Sequence, residues 1–92
     1  MCGIIGFIGR EDGPEISVKG LKTLEYRGYD SWGIAFPKDN TLEIIKAVGK
    51  LEDEDVNRVS LLKSNICIGH TRWATHGSVT RINAHPHVSN NN

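Results

Sequence analysis

The sequence predicts a mixed α+β layer fold. Three observations carry it. Short apolar runs punctuated by glycine read as strands, two stretches carry helical spacing, and the order is strand, helix, two strands, helix, strand.

The chain begins with Gly3-Ile4-Ile5-Gly6-Phe7-Ile8-Gly9, a buried strand with close backbone approach on one side. Arg10 to Gly13 makes a turn, and Pro14 suits a first helical position. Ile16, Gly20 and Leu24, with Leu21 beside them, space an amphipathic helix over residues 14–26. Glycine at position 20 costs about 1 kcal/mol against alanine, so a tight contact with a neighbouring sheet is expected there. Arg27 to Ser31 breaks the pattern. Gly33 to Phe36 is a second strand stopped by Pro37, Asp39-Asn40 is a turn, and Leu42 to Val48 is a third strand, so residues 32–48 read as a hairpin. Glu52, Asp53, Glu54 and Asp55 crowd the first turn of a second helix, where the macrodipole favours them. Val56, Val59 and Leu62 supply its stripe. Ile66-Cys67-Ile68-Gly69 is a fourth strand, and from His70 the chain turns polar with no clear period.

Ninety-two residues make one small domain at most. Leu, Ile, Val and Phe are 24 of 92 residues, above the level that signals disorder. Eleven basic residues balance eleven acidic ones, which gives no electrostatic footprint for nucleic acid and no polybasic membrane patch. The longest apolar runs are too short to span a bilayer, and Met-Cys-Gly-Ile-Ile-Gly has no secretory signal character. A cytoplasmic protein with two free thiols, Cys2 and Cys67, is the expectation. So small a chain buries a modest share of its surface, has no disulfide set or metal spacing to compensate, and reads as a piece of a larger domain.

Four groups of residues carry chemistry. Removal of Met1 leaves Cys2 with a thiol and a free α-amine. That amine titrates near pKa 8 and is partly neutral at pH 7, so one residue supplies a nucleophile and its base; a chance cysteine after the initiator is the other reading. Arg27, before Gly28, either pins the chain terminus or a carboxylate by paired hydrogen bonds, or is a helix C-terminal cation ahead of a capping glycine. Gly69-His70-Thr71-Arg72-Trp73-Ala74-Thr75-His76-Gly77 puts an arginine, two hydroxyls, two histidines and an indole on one loop after a strand. That set suits an amino-acid substrate, with Arg72 on the carboxylate, Thr75 making neutral contacts and Trp73 as wall or lid; a polar loop with one buried tryptophan is the alternative. Asn83-Ala84-His85-Pro86-His87 reads as a polar turn held by Pro86 rather than as a metal site. Cys67, between two isoleucines, reads as a core thiol.

Taken together, Met-Cys-Gly-Ile-Ile-Gly, the stretch LEYRGYDSWGIA from Leu24 to Ala35, HTRWATHG from His70 to Gly77 and NAHPH from Asn83 to His87 resemble the class II glutamine amidotransferases, a family of N-terminal-nucleophile hydrolases. The resemblance covers nearly the whole chain. It implies part of a four-layer αββα sandwich, with residues 1–92 forming the N-terminal portion of a glutaminase domain. It implies that Cys2 attacks the side-chain amide of L-glutamine and releases ammonia through a thioester. Arg72 holds the substrate carboxylate, Trp73 lies in a closing loop, Thr75 and His76 line the pocket, and Arg27 with Gly28 steadies the nucleophile. No cofactor or metal is implied. The wording after Arg-Gly is most like members that pass ammonia to fructose 6-phosphate on a sugar-isomerase domain absent from this chain, in a homo-oligomeric complete protein. A relative acting on phosphoribosyl diphosphate, or a non-catalytic glutamine-binding fragment, are the alternatives. The family's Asn-Gly oxyanion pair and its amine-binding aspartate are absent, and one lost oxyanion donor costs about a hundredfold to a thousandfold in rate. Trp32 stands where a smaller residue is expected.

Overall fold

The computed structural model describes residues 2–27, 30–73 and 77–89, without the side chain of Arg27. Gly28, Thr75 and His76 therefore lie outside the described residues, as does Met1.

The strands are β1 (Gly3–Ile8), β2 (Ser31–Lys38), β3 (Thr41–Val48) and β4 (Ile66–Arg72). They form one antiparallel sheet in the order β1-β4-β2-β3. Helix α1 spans Gly13–Thr23, a 3-10 turn follows at Glu25–Arg27, and α2 spans Asp53–Val59. The mixed α+β class is as expected from the sequence. Among the described residues it takes the form of one sheet with helices on one face.

Alternation along the strands explains which face is covered. Trp32, Ile34 and Phe36 of β2 and Cys67 of β4 turn toward α1 and are buried with Val18, Leu21, Leu51 and Val59. The opposite face carries Ile4, Ile8, Ile66 and Ile68, all substantially exposed. Trp32 fits because its rung partners on either side, Thr71 and Ala47, are small.

The α1 boundary and stripe differ from the sequence expectation. The helix buries Gly13, Pro14, Ser17, Val18 and Leu21, whereas Ile16 is only half-buried. The contact expected at Gly20 is present: a Cβ there would collide with the Ile5 side chain. Helix α2 opens with a capping box in which Asp55 accepts from the Glu52 N–H at 2.9 Å. Pro37 does not stop β2. Pairing with β4 already ends at Ala35↔Ile68, so the missing N–H removes no rung there. The Asp39-Asn40 turn has φ of 52° and 66°, the pair of left-handed residues a two-residue hairpin needs.

Strand β4 also runs three residues further than its apolar run, to Arg72. Thr71 faces the core, and Arg72 is buried by carbonyls from beyond the strand. This extension positions the site described next.

Candidate active site

The pairing Gly3↔Thr71 sets the start of β1 beside the end of β4. Cys2 therefore meets Trp73. The Trp73 N–H donates to Cys2 Sγ at 3.4 Å, and the sulfur lies 3.9 Å from the Trp73 carbonyl oxygen. Cys2 is exposed, as a nucleophile must be, whereas Cys67 is buried and burial pushes its thiol pKa up.

Arg72 is 7% exposed. Its Nη1 donates to the Ser78 carbonyl at 2.9 Å and its Nη2 to the Gly77 carbonyl at 3.4 Å. The Arg72 carbonyl accepts from the Asp30 N–H at 2.9 Å, which ties the end of β4 to the entry of β2. Trp73 is 47% exposed at the rim, so the buried tryptophan of this protein is Trp32. Arg27 closes the 3-10 turn, whose Glu25 carboxylate accepts from the Leu51 N–H at 2.7 Å.

Segment 77–89 has no helix or strand and folds back over the uncovered face of the sheet near β2. Gly33 makes room for it: a Cβ there would collide with the His85 carbonyl oxygen and lie 3.0 Å from Pro86 Cδ. Three imidazoles gather as a result. His70 and His85 ring centroids are 4.4 Å apart, and His85 stacks on His87 at 4.3 Å. Burial, then the positive neighbours His85, Arg72 and His87, holds His70 down at about 4. His85 is lowered in the same way, by burial first.

Between these elements lies a cavity of about 460 Å³, with Cys2, Arg72 and Trp73 on one wall and Asn83, His85 and His87 on the other. That size suits a small-molecule ligand. A larger cleft of about 620 Å³ lies at the other end of the sheet, between the β2–β3 turn and Lys63–Asn65, and contains no thiol. Of the residues singled out in the sequence, Cys2, Arg72 and Trp73 share one cavity. Asn83, His85 and His87 join them, although the sequence alone assigns them no role. The signal is the density of polar side chains around Pro86, which by itself reads as a turn. Among the described residues, no group of three or more His, Cys, Asp or Glu side chains is arranged so that it could hold a metal ion.

The cavity joins an exposed cysteine at the start of the first strand to a buried arginine at the end of the fourth. Solved structures share this fold. A glutamine phosphoribosylpyrophosphate amidotransferase from B. subtilis superposes over 99% of this chain with a TM-score of 0.73 and 27% identity. A structure described as the allosteric regulatory enzyme of purine biosynthesis superposes over the full chain at 0.78 and 32%. The chain belongs to the class II glutamine amidotransferases, with the N-terminal-nucleophile fold.

Within that class the chain is similar to curated glutamine–fructose-6-phosphate aminotransferases (isomerizing). It is 52% identical over 89 residues to the one from Bacillus licheniformis, 53% over 91 residues to that of Campylobacter jejuni and 48% over 93 residues to that of Helicobacter pylori. These matches take 96–99% of this chain but only 15–16% of the relatives' length, and 20% of each solved structure. No family model matches the chain.

Proposed function

We propose that this chain is the N-terminal portion of a glutaminase domain. In the complete protein that domain supplies ammonia for making glucosamine 6-phosphate from fructose 6-phosphate. The observation that carries the proposal is the cavity shared by Cys2 and Arg72.

The chemistry follows from those two groups. After loss of Met1, the α-amine of Cys2 takes the thiol proton, directly or through a water. The sulfur then adds to the amide carbon of the glutamine side chain. The carbon–nitrogen bond breaks, and the protonated amine returns its proton to the departing ammonia. Water cleaves the thioester to give glutamate and the free thiol. Arg72 holds the α-carboxylate at the far end of the substrate through charge-assisted hydrogen bonds. Trp73 stands at the rim as the closing wall, Thr75 and His76 complete the pocket, and Arg27 with Gly28 steadies the strand that carries the nucleophile.

The identities support fructose 6-phosphate over phosphoribosyl diphosphate as acceptor: about half of the residues match aminotransferases acting on the sugar, against 27–32% for the structural relatives. The acceptor domain lies outside this chain. No helix among the described residues is long and apolar enough to cross a membrane, and the reading places the complete enzyme in the cytoplasm as a homo-oligomer.

The test is made on the complete protein. Cys2→Ala is expected to abolish glutamine-dependent formation of glucosamine 6-phosphate while sparing formation from free ammonia. Unchanged glutamine use would refute the reading. Product formed from phosphoribosyl diphosphate, and none from the sugar, would replace the acceptor and keep the nucleophile.

A further inference from the structure

We infer that Asn83 is a positioning residue for glutamine binding, acting on Arg72 through the Ser78 carbonyl. The inference rests on the reading of Arg72 as the carboxylate-binding group.

The Ser78 carbonyl oxygen accepts two hydrogen bonds of the same length. Arg72 Nη1 donates one at 2.9 Å and Asn83 Nδ2 donates the other at 2.9 Å. A carbonyl oxygen has two lone pairs, so both are engaged. The preceding carbonyl, that of Gly77, accepts from Arg72 Nη2 at 3.4 Å. Two successive peptide oxygens thus hold the two terminal nitrogens of one guanidinium. Gly77 has φ of +82°, a conformation that glycine takes without steric cost. Its α-carbon sits where Asn83 and Arg72 converge: a Cβ there would lie 3.3 Å from Asn83 Nδ2 and 3.4 Å from Arg72 Nη2.

Asn83 is itself fixed on both sides. Its N–H donates to Thr80 Oγ1 at 3.2 Å, and its carbonyl lies 3.3 Å from His87 Nε2. His87 stacks on His85, whose backbone rests against Gly33 of the sheet. A continuous chain of contacts therefore runs from the rigid sheet through His85, His87 and Asn83 to Ser78, and from there to Arg72. Asn83 is the member that links the arch anchored on the sheet to the carbonyl that orients the guanidinium.

The consequence is specific. A guanidinium is planar and recognises a carboxylate best when its plane is fixed beforehand. Without the Asn83 donor, Arg72 is the one remaining donor to the Ser78 carbonyl among the described residues, and the guanidinium loses the support that ties its acceptor to the arch. Substrate must then order both. The α-carboxylate is remote from the amide carbon that changes in the reaction, so its binding contributes equally to ground state and transition state. Losing that kind of interaction raises KM and leaves kcat unchanged.

The experiment is glutaminase kinetics on the complete protein with Asn83→Ala, Asn83→Asp and Arg72→Lys. Asn83→Ala is expected to raise KM for glutamine about three- to tenfold, the range for one hydrogen bond, with kcat within about twofold. Asn83→Asp keeps the shape, loses the donor and sets a negative charge beside the guanidinium, so its KM rises further. The rate at which iodoacetamide, which has no carboxylate, alkylates Cys2 stays at the wild-type value in both, showing an intact site. An unchanged KM in Asn83→Ala, or a fall in kcat at constant KM, overturns the inference. Should Asn83→Ala fail to fold, the nearly isosteric Asn83→Asp decides alone, and an unchanged KM there is the overturning result. If Arg72→Lys raises KM and neither Asn83 variant does, only the role of Asn83 falls. If Arg72→Lys leaves KM unchanged, the reading of Arg72 falls and the inference with it.

Discussion

Trp73 donates its backbone N–H to the sulfur of Cys2 at 3.4 Å, a contact between residues 71 apart in sequence. Two strand ends make it. The antiparallel register of β1 and β4 starts at Gly3↔Thr71, so the residue before β1 must meet the residues that end and follow β4. The contact holds the sulfur on the cavity wall, and exposure gives reagents access to it.

The two thiols are therefore expected to differ sharply. Cys2 is exposed, whereas Cys67 is fully buried among the core residues and its pKa is raised by that burial. Iodoacetamide should modify Cys2 at least about tenfold faster than Cys67 in the native protein, because only the accessible thiolate reacts. Peptide mass spectrometry after timed quenching measures both rates. Equal rates would contradict the assigned burial, and unfolding in denaturant should erase the difference.

The same register shows how much of the site is legible in the sequence. Cys2, Arg72 and Trp73 stand out by residue type and place in the chain, and the expected hairpin turn is where Asp39-Asn40 puts it. The end of β4 is hidden because His70, Thr71 and Arg72 look like loop residues. Arg72 can end a strand because tertiary contacts answer its polarity: the Gly77 and Ser78 carbonyls accept from its guanidinium. The α1 stripe is obscured for a related reason. Its buried face is Pro14, Ser17, Val18 and Leu21, a helical spacing in which two members are not apolar markers. Asn83 has no pattern to reveal it, since its contacts are with Ser78, Thr80 and His87 in an irregular segment.

The histidine cluster makes stability depend on pH in one direction. His70 is held at about 4 against an ordinary 6.5, by burial first and then by His85, Arg72 and His87. His85 is lowered by burial, then by His87, Arg72 and Lys46. Between those two pH values the unfolded chain binds protons that the folded chain refuses, so stability rises with pH there. The contribution is complete above about 6.5 and is lost progressively as pH falls toward 4. Urea midpoints measured at pH 7, 5.5 and 4.5 should decline in that order. His70→Asn, which removes the titrating ring, should flatten the decline relative to wild type; parallel curves would show that carboxylates alone cause it.

The uncovered sheet face has a second measurable consequence. Ile4 is 76% exposed and Ile8 82%, with Ile66 and Ile68 beside them on the same face. A contiguous set of aliphatic side chains on an open sheet face is an association surface. The 92-residue chain expressed by itself should bind the dye ANS and self-associate at micromolar concentration. Ile8→Lys combined with Ile68→Lys should reduce both, without loss of far-ultraviolet circular dichroism, because neither side chain belongs to the buried cluster around α1. Light scattering that is unchanged by the double substitution would locate the association elsewhere.

Gly33 offers the sharpest test of how the sheet carries the site. It lies in the middle of β2, paired with His70 on β4 and Lys46 on β3, and its uncovered side receives the His85 backbone. A methyl group there would collide with the His85 carbonyl oxygen and come within 2.9 Å of the carbonyl carbon. The obstacle is backbone, which cannot rotate out of the way as a flexible side chain can. Gly33→Ala must therefore lift segment 83–87 off the sheet or shift β2, and overpacking of this kind costs about 1–3 kcal/mol. Lifting the segment separates His85 from His70 and opens the wall formed by Asn83, His85 and His87. The variant should show a lower urea midpoint, a His70 ring that titrates nearer its ordinary value by nuclear magnetic resonance, and weaker glutamine binding. Wild-type stability and an unshifted His70 in the Gly33→Ala variant would mean that the segment does not rest on β2 in solution.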